Sequence, residues 1–110
     1  MNHCPIQNAL KLFGGKWKIA VLYSLKDGPK RFGILKKSLN GITQQMLTKQ
    51  LRELEKDSLI NRKAFDVIPP KVEYSLTDFG DSLIPVLNKL CGWSSAHEEL
   101  IDAIISESVI

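Results

Sequence analysis

The stretch that decides the fold runs from Gly41 to Asp57 and has the sequence GITQQMLTKQLRELEKD. Thr43 is a favourable N-cap residue, and three leucines at positions i, i+4 and i+7 form a single apolar stripe. These leucines are Leu47, Leu51 and Leu54. The spacing predicts an amphipathic helix that begins after Thr43 and packs its leucine stripe into a core.

The opposite face of this helix is polar and cationic at its beginning and acidic only near its end. Helix stability favours the reverse order, with acids first and bases last. Amide, hydroxyl and basic side chains form hydrogen bonds to base edges and phosphates in the DNA major groove. Either this is a DNA-binding face or it is an ordinary solvated helix face. The early residues are Gln44, Gln45, Thr48, Lys49 and Arg52, and the late acids are Glu53, Glu55 and Asp57.

The segments around this helix complete a recognisable arrangement. A short helix predicted from Phe32 to Leu39 precedes it across the turn Asn40-Gly41-Ile42. Two helices joined by a short glycine-containing turn, the second with a polar cationic face, form a helix-turn-helix, although an αα-hairpin shares this pattern. Leu59 to Phe65 and Lys71 to Leu76 follow with the alternation of two antiparallel strands, which must pack on the helices as a wing does.

The ends of the chain predict further helices with apolar stripes. One begins at Cys4-Pro5, and the almost entirely apolar segment Lys16 to Lys26 predicts a buried helix. After Thr77 a long helix should bend at Pro85, and the capping-box pattern from Ser95 to Glu98 should begin a last helix. So small a core cannot bury all these stripes, which predicts a protein partner, most commonly a second copy of the chain.

Composition and charge restrict the class of protein. The 110 residues suit one domain. Residues 1–71 contain 14 Lys and Arg against 5 Asp and Glu, a net charge of +9, whereas residues 72–110 contain one Lys against 7 acids, a net charge of −6. A basic front half predicts contact with a polyanion. There is no apolar run of about 18 residues and no signal-peptide pattern, so we expect a cytoplasmic protein without membrane contact.

Motifs for catalysis are absent from the sequence. It contains no paired carboxylates, nucleophile–base spacing or glycine-rich phosphate loop, so we expect neither enzymatic activity nor a cofactor. Cys4 and Cys91, with His3 and His97 near them in sequence, match no common zinc-binding spacing.

Short motifs distributed over residues 4 to about 93 form a characteristic set. They are Cys4-Pro5, Gly14-Gly15-Lys16-Trp17, Gly28-Pro29, Arg31-Phe32, Leu51-Arg52-Glu53-Leu54, and Pro69-Pro70-Lys71-Val72-Glu73-Tyr74-Ser75-Leu76-Thr77 with Gly80. With these motifs the chain resembles the HxlR-type winged helix-turn-helix regulators, which are related to the MarR proteins. The motif that begins at Pro69 is the most specific of the set.

The resemblance implies a mainly α fold with a small antiparallel β-hairpin, in a single domain over residues 1–110. It implies a DNA-binding part at about 14–77 and dimerisation helices at about 4–13 and 78–110. A homodimeric transcriptional regulator would then bind a two-half-site operator in double-stranded DNA, with the helix after Thr43 in the major groove and the wing on the backbone. Many members of the family sense oxidants, electrophiles or aldehydes through a cysteine near the N-terminus, and Cys4 has that position.

The sequence and the resemblance together specify site residues. We expect base contacts at the start of the polar helix and backbone contacts from basic residues on it and around the wing. The predicted DNA-binding set is Arg31, Thr43, Gln44, Gln45, Thr48, Lys49, Arg52, Lys63 and Lys71. Cys4 is the predicted redox-sensing residue because the amino end of a helix favours the thiolate, whereas Cys91 is expected to be buried. A winged helix that binds only proteins is the alternative, and any small-molecule effector is left open.

Overall fold

A computed structural model describes residues 4–108, which form seven α-helices and a three-stranded antiparallel sheet. The helices are α1 (Ile6–Phe13), α2 (Lys18–Ser24), α3 (Phe32–Ser38), α4 (Gln44–Lys56), α5 (Asp78–Asp81), α6 (Ile84–Ala96) and α7 (Glu98–Ser108). The strands are β1 (Lys30–Arg31), β2 (Ile60–Phe65) and β3 (Lys71–Leu76). This order of elements is a winged helix-turn-helix and confirms the predicted fold class. Residues 1–3, which include the potential ligand His3, and 109–110 lie outside the described residues.

The leucine stripe of α4 lies at the centre of the core, as predicted. It packs with Val21 and Leu22 of α2 and with the beginning of β2, and no polar residue among the described ones is buried there. The core residues are Val21, Leu22, Leu25, Leu35, Leu39, Ile42, Leu47, Leu51, Leu54, Leu59, Ile60 and Leu87. Since one side of α4 is committed to this core, its remaining side chains face outward.

The start of α4 has the predicted geometry. The Thr43 hydroxyl accepts a hydrogen bond from the Met46 amide at 3.1 Å, which satisfies one of the free N–H groups of the first turn. Gly41, in the turn that joins α3 to α4, has a φ of +88°, a left-handed conformation that favours glycine. The turn and the cap together fix the direction in which α4 leaves α3.

The sheet has one more strand than the sequence predicted. Its order is β1-β3-β2, and the β2–β3 hairpin pairs from Ile60 opposite Leu76 to Phe65 opposite Lys71. The additional strand β1 pairs with β3 on its other side. A strand of two residues is too short to show an alternating pattern, so only its pairing with β3 reveals it.

The short helix α5 is held against the beginning of β2. The Thr77 hydroxyl donates a hydrogen bond to the Ser58 carbonyl at 2.7 Å and accepts one from the Gly80 amide at 3.0 Å, which makes Thr77 the predicted helix cap. Gly80 is buried, and a Cβ added there would collide with the Leu59 carbonyl oxygen. Glycine at this position therefore allows α5 to approach β2 closely.

Two predictions about the C-terminal helices were wrong. Pro85 does not bend a long helix but lies in the first turn of α6, where its missing N–H would have no partner within the helix. The proposed capping box fails because α6 continues through Ser95 and ends at Ala96, with His97 as its C-cap. The His97 Nδ1 lies 3.0 Å from the Trp93 carbonyl oxygen, within hydrogen-bonding distance of one of the last carbonyl groups of α6.

Apolar surface remains on the terminal helices. Of α6 only Leu87 is buried, and α1 buries no residue at all among those described. The exposed large apolar residues of these helices include Ile6, Leu10, Val86, Leu90, Trp93 and Leu100. Among residues 4–108 no helix has the length and apolar content needed to cross a membrane.

Replacement of Gly80 by alanine should destabilise the fold, because the new methyl group must displace the Leu59 backbone. We expect a loss of about 1–3 kcal/mol, the usual cost of overpacking, measured as a lower urea midpoint at an unchanged denaturant slope. Gly33→Ala is the matched control, because a Cβ at Gly33 in α3 meets no atom within 4 Å. Equal stability of the two variants would contradict the close approach of α5 to β2.

Candidate nucleic-acid interface

The polar face of α4 lines an open groove of about 620 Å³. The groove brings together most of the residues predicted to contact DNA from this helix, and it adds an acid that was not among them. Its lining residues are Gln44, Gln45, Thr48, Lys49, Arg52 and Glu53. The amide and hydroxyl groups can donate hydrogen bonds to base edges and accept hydrogen bonds from them, and the guanidinium group can donate to bases or to phosphate oxygens.

Two threonines of this face have part of their hydrogen-bonding capacity committed to the helix. The Thr48 hydroxyl donates to the Gln44 carbonyl at 2.9 Å, so its oxygen has lone pairs left for accepting. The Thr43 hydroxyl accepts from the backbone at the N-cap, so its hydrogen is available for a phosphate oxygen. Thr43 also lies at the positive end of the α4 dipole, where anions bind well.

The predicted backbone-contacting residues of the wing share one face of the sheet. Arg31 and Lys63 both lie opposite Glu73, one on each side of β3. Lys71 is two residues before Glu73 in the same strand, and residues at this spacing point to the same side. The sheet therefore gathers three basic side chains on a face separate from the α4 groove.

An aromatic ring holds two lysines of this face in place. The Nζ of Lys71 lies 4.3 Å from the centroid of the Phe65 ring, and the Nζ of Lys63 lies 4.9 Å from it. Ammonium groups are attracted to aromatic rings at such distances. Lys71 also forms an ion pair of 3.6 Å with Glu73, so its charge is partly shared within the wing.

Arg62 was not among the predicted site residues, yet it lines the same groove as one of them. This second groove, of about 390 Å³, lies between α4 and the hairpin, and its lining includes Arg52, Arg62 and Tyr74. The signal available for Arg62 in the sequence was its basic character alone. Its position depends on the β2–β3 register, which sets Arg62 opposite Tyr74 on the face turned toward α4.

Glu53 was predicted only as one of the late acids of α4, but it has a specific partner. Lys18 extends from the first turn of α2, and its Nζ lies 2.9 Å from the Glu53 carboxylate. The pKa of Glu53 is lowered from its ordinary value, chiefly by this hydrogen bond from Lys18, whereas partial burial opposes the shift. The carboxylate is therefore fully ionised at neutral pH.

The two cysteines are both free thiols on the surface of the chain. Cys4 lies directly before Pro5, which is the N-cap of α1 and not its first residue as the sequence indicated, so Cys4 stands one residue further from the helix. Cys91 was expected to be buried, and that prediction was wrong: it lies on the exposed part of α6, beside an apolar groove between α2 and α6. Among residues 4–108 no three His, Cys, Asp or Glu residues are grouped as metal ligands would be.

Comparison with known proteins settles the family. A family model described as HxlR-like helix-turn-helix matches residues 12–102. The chain belongs to the HxlR-like helix-turn-helix family. It is 48% identical over 101 residues to the HTH-type transcriptional regulator YdeP of Bacillus subtilis (strain 168), a match that covers 92% of this chain and 79% of the relative. The recognition made from the sequence motifs is thus confirmed, and the protein is a DNA-binding transcriptional regulator of the HxlR/MarR type.

Solved structures of two similar regulators have the same fold. The reduced form of the redox regulator HypR matches with a TM-score of 0.85 and 41% identity, over 91% of this chain and 99% of that one. The reduced form of the transcriptional regulator YodB from B. subtilis matches with a TM-score of 0.75 and 33% identity, over 86% and 92% of the two chains. The DNA-contact and sensing roles of individual residues in the present chain stay predictions.

Proposed function

We propose that this HxlR-like protein is a cytoplasmic homodimer that regulates transcription by binding a two-half-site operator, without catalysing a reaction. The observation that supports this most is the α4 groove. Burial of the leucine stripe turns Gln44, Gln45 and Lys49 outward together, at the amino end of the second helix of a helix-turn-helix. In proteins of this class the first turns of that helix enter the major groove.

The contacts divide into two kinds. The amides of Gln44 and Gln45 carry a donor and an acceptor each, the pattern that distinguishes one base edge from another. Arg31, Lys63 and Lys71 on the sheet face offer charge without such a pattern, which suits phosphates. We therefore assign sequence preference to the start of α4 and most of the affinity to the wing.

The dimer is proposed from the exposed apolar stripe of α6. Val86, Leu90 and Trp93 are spaced i, i+4 and i+7, so they lie on one side of the helix, and Val86 and Trp93 are both 57% exposed. Contiguous apolar surface of this kind is typical of a subunit interface. A twofold dimer would place two α4 helices about 34–36 Å apart, one turn of DNA, or a multiple of that spacing.

Redox control is proposed from the position of Cys4 and from the relatives. HypR is described as a redox regulator with oxidised and reduced forms, and YodB has a diamide-treated form. Cys4 is exposed at the amino end of α1, whose apolar residues Ile6 and Leu10 are unburied within the chain. Oxidation of Cys4 would act at the proposed interface and so change the distance between the two α4 helices.

The division of contacts is tested with two variants and two duplexes. First, wild-type protein selects its preferred sequence from a pool of randomised duplexes about 25 base pairs long, which is enough for two half-sites. The affinity of each variant for the selected duplex is then compared with its affinity for the random pool over a range of salt concentrations. Lys71→Ala should weaken both alike and lower the salt slope by about 0.9, one phosphate contact. Gln45→Ala should cost about 1–3 kcal/mol on the selected duplex and little on the pool. Identical behaviour of the two variants would refute the assignment.

The dimer is tested with two valines of similar exposure. Val86→Glu places a charge in the proposed interface and should convert the protein to monomer in sedimentation experiments, because burying an unpaired carboxylate is unfavourable. Val67→Glu is the control, since Val67 is 50% exposed in the wing loop, remote from α6 in sequence. A dimer that persists in Val86→Glu, or one that dissociates equally in Val67→Glu, contradicts the proposed interface.

The sensing role of Cys4 is tested by treating the protein with diamide or peroxide before binding to the selected duplex. In wild type and in Cys91→Ser, the oxidant should change the affinity for the selected duplex severalfold, and reductant should restore it. The reason is that a thiol is oxidised reversibly to a sulfenic acid or a disulfide. Cys4→Ser should not respond. A response that survives in Cys4→Ser shows that another group is the sensor.

A further inference from the structure

The ion pair between Lys18 and Glu53 connects α4 to α2, the helix whose buried residues pack against it. Lys18 is the first residue of α2, and Glu53 lies in the third turn of α4. The Nζ and Oε2 atoms are 2.9 Å apart, and the side chains are 15% and 39% exposed. A lysine so well covered has little freedom, so the contact holds a defined geometry rather than a loose surface pairing.

The apolar contact between these helices leaves one degree of freedom open. Leu47, Leu51 and Leu54 fix which side of α4 is buried, but apolar contacts are not directional, so they define a small rotation about the helix axis less sharply than an ion pair of fixed geometry does. With side chains, a helix has a radius of about 5–6 Å, so a rotation of about 10° moves a side-chain tip by about 1 Å. A displacement of that size is enough to break a hydrogen bond to a base.

The pair also determines the charge of the α4 groove. Glu53 lines that groove next to Arg52 and Lys49, on the surface assigned to DNA. An ionised carboxylate there repels phosphates unless a cation accompanies it. The Lys18 ammonium supplies that cation from outside α4, and the lowered pKa of Glu53 shows that the charged form is the one stabilised.

We infer that the Lys18–Glu53 ion pair is a positioning element for base recognition, which sets the rotation of α4 about its axis and keeps the carboxylate of Glu53 from facing the DNA backbone. This inference rests on the proposed function, because it concerns how well α4 discriminates between sequences. Lys18 and Glu53 are positioning residues, and neither is assigned a base contact.

Two single variants separate positioning from simple charge. Glu53→Gln removes a negative charge and Lys18→Met removes a positive one, so their affinities for the random pool should move in opposite directions, up and down respectively. Discrimination is the ratio of affinity for the selected duplex to affinity for the random pool. It should fall in both variants, by about tenfold, the equivalent of one weakened base contact.

Matched controls change the same charges without touching the pair. Asp57→Asn lies at the end of α4, and Lys36→Met lies on α3; neither residue lines the two grooves beside α4 or belongs to an ion pair within residues 4–108. Both controls should shift affinity for the two DNAs alike and keep the discrimination ratio. The double variant Lys18→Glu with Glu53→Lys restores an ion pair of the same total length with reversed polarity, and it should recover the ratio.

The outcomes distinguish this inference from the proposed function. If wild type shows no preference for any selected duplex, the proposed function fails and the positioning role with it. If wild type discriminates while Glu53→Gln and Lys18→Met keep the full ratio, or change it in opposite directions, only the positioning role is overturned. If Lys18→Met does not fold, the other two variants test the positioning role. That role is overturned if Glu53→Gln keeps the full discrimination ratio, or if the reversed pair does not recover it.

Discussion

Burial of the leucine stripe of α4 is the constraint on which the rest of the structure depends. Leu47 and Leu54 have no exposed surface, and Leu51 has almost none. Because a helix repeats every 3.6 residues, burial of positions i, i+4 and i+7 in the core decides which side of the helix faces outward. The polar groove is thus a direct consequence of packing. The buried leucines decide which surface of α4 is available for the proposed contact with DNA.

A second set of contacts connects the wing and the terminal helices to this core. Thr77 bonds to the backbone at Ser58, immediately after α4, and it also caps α5, which leads into α6. Strand β1 adds a third partner to the hairpin, so the wing is anchored on both sides of β3. Thr77 therefore joins the start of α5, which precedes α6, to the residues that follow α4.

Two acidic residues on the surfaces proposed to face DNA form ion pairs with lysines. The two ion pairs found among residues 4–108 join Lys18 to Glu53 in the α4 groove and Lys71 to Glu73 on the sheet face. In the wing the same lysine also lies over Phe65. Ionised carboxylates beside phosphates would oppose binding. Because Glu53 and Glu73 are each paired with a lysine, they can orient these basic side chains. The pairing also balances their negative charge on surfaces proposed to meet a polyanion.

The sequence by itself determined the features that depend on neighbouring residues. The cap at Thr43, the leucine stripe and the β2–β3 hairpin all follow from periods of 3.6 or 2 residues and from short turn signals, and the motif from Pro69 identified the family. The five predicted groove residues came from the same periodicity, since one face of one helix contains them all. These parts were predictable because local geometry sets them.

Only the tertiary structure decided which residues distant in the chain meet. Strand β1 exists because β3 passes beside it, and Pro85 lies in the first turn of α6 because α5 ends before it. Cys91 is exposed because α6 turns only Leu87 into the core. Lys18 reaches Glu53, and Arg62 lines the same groove as Arg52, because separate elements pack together. No period along the chain encodes such contacts, because they depend on the three-dimensional arrangement that the buried core imposes.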